Sequence, residues 1–120
     1  MARQETNRAA PALPPATFQI LLALVGGERH GYAIMKEVAE STDGGVRLGP
    51  GTLYGTLKRL LEVGLVDEAG ERAGADAGDE RRRYYRITKH GLTVARAEAR
   101  RLERMVRAAR QKKLIGPARA

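Results

Sequence analysis

The chain has no cysteine, no tryptophan, a single phenylalanine and only two histidines among its 120 residues. Without cysteine there are no disulfides, no thiolate zinc sites and no cysteine nucleophile. His30 and His90 stand far apart with no carboxylate cluster beside either, so ligand arithmetic offers no metal site. No nucleophile or acid–base pair can be assembled, and neither an enzyme nor a cofactor is expected. The longest apolar run, Ile20 to Val25, falls far short of the ~20 residues of a membrane span. Met1 to Ala12 holds Arg3, Glu5 and Arg8 without the apolar stretch of a secretory signal. The expectation is a soluble, cytoplasmic protein with no membrane partner.

What the chain has is charge, unevenly placed. Residues 1–80 carry 8 basic and 12 acidic side chains, while residues 81–120 carry 14 basic and 2 acidic ones, within a net charge of +8. A basic half attracts a polyanion such as DNA, RNA or an anionic membrane, and an acidic half can neutralise the basic half of a second copy. A chain this short makes one domain with a modest core, which a partner chain often completes.

Periodicity divides the chain into elements. Residues 1–13 lack apolar spacing and read as a mobile N-terminal arm. Pro15 suits the first turn of a helix that runs to Val25 and stops at Gly26 and Gly27. A second helix, Tyr32 to Ser41, places Ile34, Met35, Val38 and Ala39 on one side. A third begins near Pro50, with Leu53, Leu57, Leu60 and Leu61 as its buried stripe. That stripe leaves Thr52, Gly55, Thr56 and Arg59 on the far side, with Tyr54 and Lys58 on a flank.

Leu65 to Asp67 is long enough only for a strand, and Ala69 to Asp79 reads as a flexible loop. From Arg82 to Thr88 a second strand alternates, Tyr85 and Ile87 against Tyr84 and Arg86. The last helix starts at Thr88, an N-cap, and reaches about Leu114. Leu92, Ala95, Ala99, Leu102, Val106 and Ala109 recur along it as a heptad seam. At roughly 40 Å such a helix outruns a three-helix domain, so its edge is expected to pack on another chain, largely on that chain's first helix. Glu98 and Glu103 are expected to temper repulsion between the two basic helices.

The expected fold is mainly α with a small β-wing: a winged helix-turn-helix over residues 14–88, a dimerisation helix over 89–114 and a tail over 115–120. In that arrangement the third helix enters the major groove and the wing follows the backbone. Taken alone, the polar side of the third helix reads equally as a solvated face. The arginines Arg81, Arg82 and Arg83 at the base of the wing favour DNA. The basic last helix admits another class of function, an RNA-binding or membrane-surface helix. Its half-alanine seam lacks the aromatic anchors of the lipid-bound kind.

The segments Leu21 to Leu24, His30-Gly31-Tyr32, Pro50 to Leu60, Gly64-Leu65-Val66 and Arg82 to Gly91 together resemble the PadR family of transcriptional regulators. The resemblance spans about residues 14–112 and rests on the Gly-Thr-Leu-Tyr opening of the third helix and the Arg-Tyr-Tyr-x-Ile-Thr-x-x-Gly close of the wing. It implies a homodimeric repressor with a C-terminal dimerisation helix, released from double-stranded operator DNA by a small aromatic or drug-like effector. This chain resembles the short form, with one C-terminal helix. Where the family often has proline, this sequence has Gly55.

On that footing Thr52, Gly55, Thr56 and Arg59 face the major groove, and Arg59 or Lys58 contacts a guanine or a phosphate. The Tyr54 hydroxyl reaches a phosphate or its ring is half-buried; the resemblance favours the DNA contact. Tyr32, at the start of the second helix, binds a phosphate or packs in the core. Arg72 and Arg81 to Arg83 follow the backbone or minor groove, in a field weakened by Asp76, Asp79 and Glu80. Phe18, Leu22, Leu102 and Met105 are candidates to line an effector slot, though each also reads as core. The alternative function is an architectural protein that binds nucleic acid without sequence preference.

Overall fold

The computed structural model describes residues 11–72 and 82–118. Helix α1 (Pro15–Val25) is followed by a two-residue strand β1 (Arg29–His30), α2 (Gly31–Ser41), α3 (Pro50–Glu62), strands β2 (Val66–Arg72) and β3 (Arg82–Ile87), and a long α4 (Lys89–Gln111). Proline opens α1 and α3, where its fixed φ suits the first turn and its missing N–H leaves nothing unsatisfied. α3 ends in a Schellman motif: Gly64, at φ 79°, donates to Leu61 O, and Leu65 N donates to Leu60 O over 2.9 Å. Thr88 caps α4, its hydroxyl accepting the Gly91 N–H at 2.9 Å and donating to Gly64 O at 2.7 Å. One threonine thus ties the end of the third helix to the start of the fourth.

α1 is the hub, touching α2, α3, α4 and β3. Its Ile20, Leu21 and Leu24 meet Ile34 and Val38 of α2, Leu53, Leu57 and Leu60 of α3, and Leu65, Val66, Tyr85 and Ala95 in one core. Burying each of the larger aliphatic chains is worth about 1.5–3 kcal/mol over leaving it in water. The wing sheet has the order β1-β3-β2, antiparallel throughout, with Arg29 opposite Tyr85, His30 opposite Tyr84 and Val66 opposite Ile87.

Three expectations change here. Ala69 to Arg72, read as loop, belong to β2: a bulge between Glu68 and Glu71, with Gly70 at φ 90°, lets pairing resume at Glu71 with Arg83 and Arg72 with Arg82. The rest of the predicted loop, 73–79, and residues 1–10 of the predicted arm lie outside the described residues. Leu13, assigned to the arm, packs against the core, and its N–H donates to the Glu98 carboxylate at 3.3 Å. Glu98 itself is only 4% exposed and accepts from Arg101 at 2.9 and 2.6 Å. Its own chain therefore occupies the carboxylate assigned to tempering repulsion between subunits. The Arg101 hydrogen bonds, aided by the Leu13 N–H, hold this carboxyl below its usual titration range.

Within one protomer α4 buries Gly91, Ala95 and Glu98. Of the predicted seam, Ala95 alone is buried; Leu92, Leu102 and Ala109 are half-buried, and Ala99 and Val106 are exposed. The C-terminal half of α4 leaves its apolar edge uncovered by its own chain.

Candidate nucleic-acid interface

The outward side of α3 exposes Thr52, Tyr54, Lys58 and Arg59, with Gly55 half-buried. Thr56 does not join them. It is 3% exposed, and its hydroxyl accepts from Arg59 Nη2 at 3.2 Å. At about 100° per residue, Thr56 lies roughly 60° from Leu53, on the Leu60 side of the buried arc, whereas Leu61 lies farther out on the opposite edge and is only half-buried. The predicted stripe was rotated one position too far toward Leu61. Thr56 thus supports the Arg59 guanidinium from beneath.

Tyr32, the second residue of α2, is 63% exposed, which removes its core-packing reading. Its ring stacks at 6.4 Å on His30, whose Nδ1 accepts the Ala33 N–H at 3.2 Å as the cap of α2. The His30 ring also meets Tyr84 edge-on at 5.3 Å. Tyr54, 48% exposed, leans across to Gly31. Both tyrosines therefore stand on the side of the molecule where α2 begins beside α3.

The wing arginines are engaged with acids. Arg72 bonds to Glu28 and places its guanidinium 4.1 Å over the Tyr84 ring. Arg86 reaches the other Glu28 oxygen at 3.4 Å. The hydrogen bond from Arg72, with help from Arg86, holds the Glu28 carboxyl below its usual range. Arg83 lies 3.7 Å from Glu68 and 3.8 Å from Glu71, and half-buried Arg82 sits 3.0 Å from His30 Nε2. Arg81, Asp76, Asp79 and Glu80 lie outside the described residues. Nothing in the sequence singled out Glu28; its grip on two arginines arises because β1 pairs beside β3.

His30 links this surface to pH. A neutral imidazole accepts at one nitrogen only, so with Nδ1 taking the Ala33 N–H, protonation removes the helix cap. Burial, and then the charge of Arg82, push the ring below its ordinary value of 6.5. The folded state therefore binds this proton less readily than the unfolded chain. The stabilisation is present above the ordinary value and is lost as pH falls from there through the depressed one. Thermal melts at pH 7.5 and 5.5 are expected to show a loss at the lower pH that shrinks in His30→Asn, which keeps a cap acceptor. An equal loss in both proteins removes His30 as the cause.

Phe18, Leu22 and Val25 of α1 and Leu92, Ala95, Arg96 and Ala99 of α4 line an open groove of about 180 Å³. Phe18 and Leu22 were among the candidates for an effector slot. Leu102 and Met105 lie further along α4 and do not line it; Val25 and Arg96 were not candidates for the slot, and Leu92, Ala95 and Ala99 line it although the sequence assigned them to the dimer seam. Among the described residues no three side chains cluster to hold a metal ion, and no helix is long and apolar enough to cross a membrane.

Three helices, a short paired wing and a polar outward side on the third helix define a winged-helix protein. Residues 20–97 match the model of the Transcriptional regulator PadR-like family, and the chain belongs to that family. Its members regulate transcription and are not enzymes. A Clostridium difficile PadR family transcription regulator superposes with a TM-score of 0.69 at 24% identity, over 82% of this chain and 97% of that one. Bacillus subtilis PadR, solved in complex with operator DNA, superposes with a TM-score of 0.56 at 22% identity over 68% and 45%. These two likenesses show the fold. An uncharacterized 37.1 kDa protein of a Streptomyces fradiae transposon is 36% identical over 75% of this chain, which spans 24% of that protein's length.

Proposed function

We propose that this chain is a sequence-specific DNA-binding regulator, acting in the cytoplasm as a homodimer that represses transcription and leaves its operator when a small molecule binds. One observation carries the DNA reading: buried leucines anchor a helix whose open side presents Thr52, Tyr54, Lys58 and Arg59 together. The fold shared with a protein solved on operator DNA supports it. Arg59, braced on Thr56, is suited to a base edge or a phosphate; Tyr32 and Tyr54 are suited to phosphates beside it. Arg72 and Arg83 join from the wing once phosphate oxygens displace Glu28, Glu68 and Glu71, and Arg82 joins from its place beside His30. Repression needs only occupancy of the operator. The α1–α4 groove, apolar and close to the proposed dimer edge, is where an effector would alter the spacing of two recognition helices.

Selection from random duplexes followed by a salt titration tests this reading. A palindromic consensus is expected, with log affinity falling against log salt by about 0.9 for each phosphate neutralised. Arg59→Ala is expected to weaken the selected site by about 1–3 kcal/mol and to relax preference at one position if it reads a base. A flat salt response rejects the interface, and strong binding with no consensus favours the architectural alternative.

A further inference from the structure

We propose that Gly31 is a positioning residue for DNA recognition, its bare Cα serving as the seat on which the Tyr54 ring rests. This deepens the DNA-binding reading above and rests on it. Gly31 is buried as the first residue of α2. A Cβ built there would overlap the Tyr54 hydroxyl and lie 2.7 Å from Cζ and 3.0 Å from Cε1. Gly31 is not among the glycines of positive φ, so its backbone would suit any residue. What the position requires is the missing side chain.

The backbone on either side cannot give way cheaply. His30 pairs with Tyr84 in the sheet, and its imidazole accepts the Ala33 N–H one turn into the helix. The Tyr54 side chain can yield, because it is half in solvent and is met at its far end. An added methyl group therefore moves the ring and leaves the fold. Tyr54 shares a cleft with Lys58 of α3 and with the paired Glu68 and Arg83 of the wing, so a displaced ring is lost from beside Lys58 on the proposed DNA-facing side. The glycine thus acts across two elements, letting the start of α2 set the pose of an aromatic group on α3.

The test compares the full chain with Gly31→Ala, Tyr54→Ala and the double variant, by anisotropy on a selected operator duplex and by thermal melts. Gly31→Ala is expected to melt close to the unsubstituted protein and to lose about tenfold in Kd. In the Tyr54→Ala background the same substitution is expected to add nothing. Unchanged affinity, or an equal penalty in both backgrounds, overturns the proposal. Loss of the fold in Gly31→Ala overturns it too, since the ring is then not the part that moves. If the unsubstituted protein binds no duplex, the DNA reading fails first and takes this inference with it, whereas failure of Gly31→Ala alone leaves that reading intact.

Discussion

Gly91→Ala is expected to cost the protein about 3 kcal/mol, which in a domain of this size lowers the melting temperature by roughly 10–20 °C. A Cβ at Gly91 would overlap the Leu65 carbonyl oxygen and lie 2.7 Å from Ile87 Cγ1 and 3.1 Å from the Leu65 carbonyl carbon. Unlike the tyrosine over Gly31, this obstacle is backbone, and it is held from several directions. Leu65 O accepts the Thr88 N–H at 3.1 Å, Leu65 N donates to Leu60 O, and the Thr88 hydroxyl joins Gly64 O to the Gly91 N–H. Relief requires α4 to lift away from the junction of α3 and the wing, which opens the core at Val66 and Tyr85. Thermal denaturation checks this, and a melting point within a few degrees of the original refutes it. Gly31 and Gly91 thus make a contrast: similar crowding, with the loss expected in DNA affinity at one and in stability at the other.

Both glycines sit inside motifs that the sequence displays, yet spacing alone does not say what each one touches. The four helices were legible because their ends carry local chemistry, Pro15 and Pro50 at first turns, Gly64 past a last turn and Thr88 as a cap, and because leucine spacing is a property of one segment. β1 was not legible. Two residues hold no period, and Arg29 and His30 become a strand only because β3 lies beside them. The second half of β2 looked like loop for a related reason: Ala69 and Gly70 favour no strand, and the bulge lets Glu71 and Arg72 pair again across the ladder.

On the third helix Thr52, Tyr54, Lys58 and Arg59 face solvent as the periodicity has them, and Gly55 is half-buried. The exception, Thr56, needed the direction of the buried arc to within one residue, and a hydroxyl among leucines gives no warning that it is buried. The partners of the charges were hidden altogether. Glu28, Glu68 and Glu71 carry no signal in the sequence and Glu98 reads as a group between subunits, yet each holds an arginine of its own chain in the fold. An arginine count therefore overstated the free positive charge of the wing, although the side of α3 bearing Lys58 and Arg59 kept it.

Placing arginine at both Leu22 and Val106 is expected to split the proposed homodimer and to weaken binding to a palindromic operator by on the order of 10²–10⁴-fold, the gain that joining two half-site contacts confers. In a single protomer Leu22 is 47% and Val106 40% exposed, and Val25 and Met105 are more exposed still. No residue of α4 beyond Glu98 is buried, although the helix runs to Gln111. A second copy laid along that edge would cover these side chains and close the groove beside Phe18. Arginine is the demanding substitution there: α4 already carries Arg100, Arg104, Arg107 and Arg110, so a new cation finds repulsion and must be desolvated without a partner. Both positions face solvent in the protomer, so helix content should persist by circular dichroism. Sedimentation should then report the 13.1 kDa chain mass where the unsubstituted protein gives twice that value, and binding to a single half-site should change little. A variant that still sediments as a dimer places the subunit contact elsewhere on the molecule.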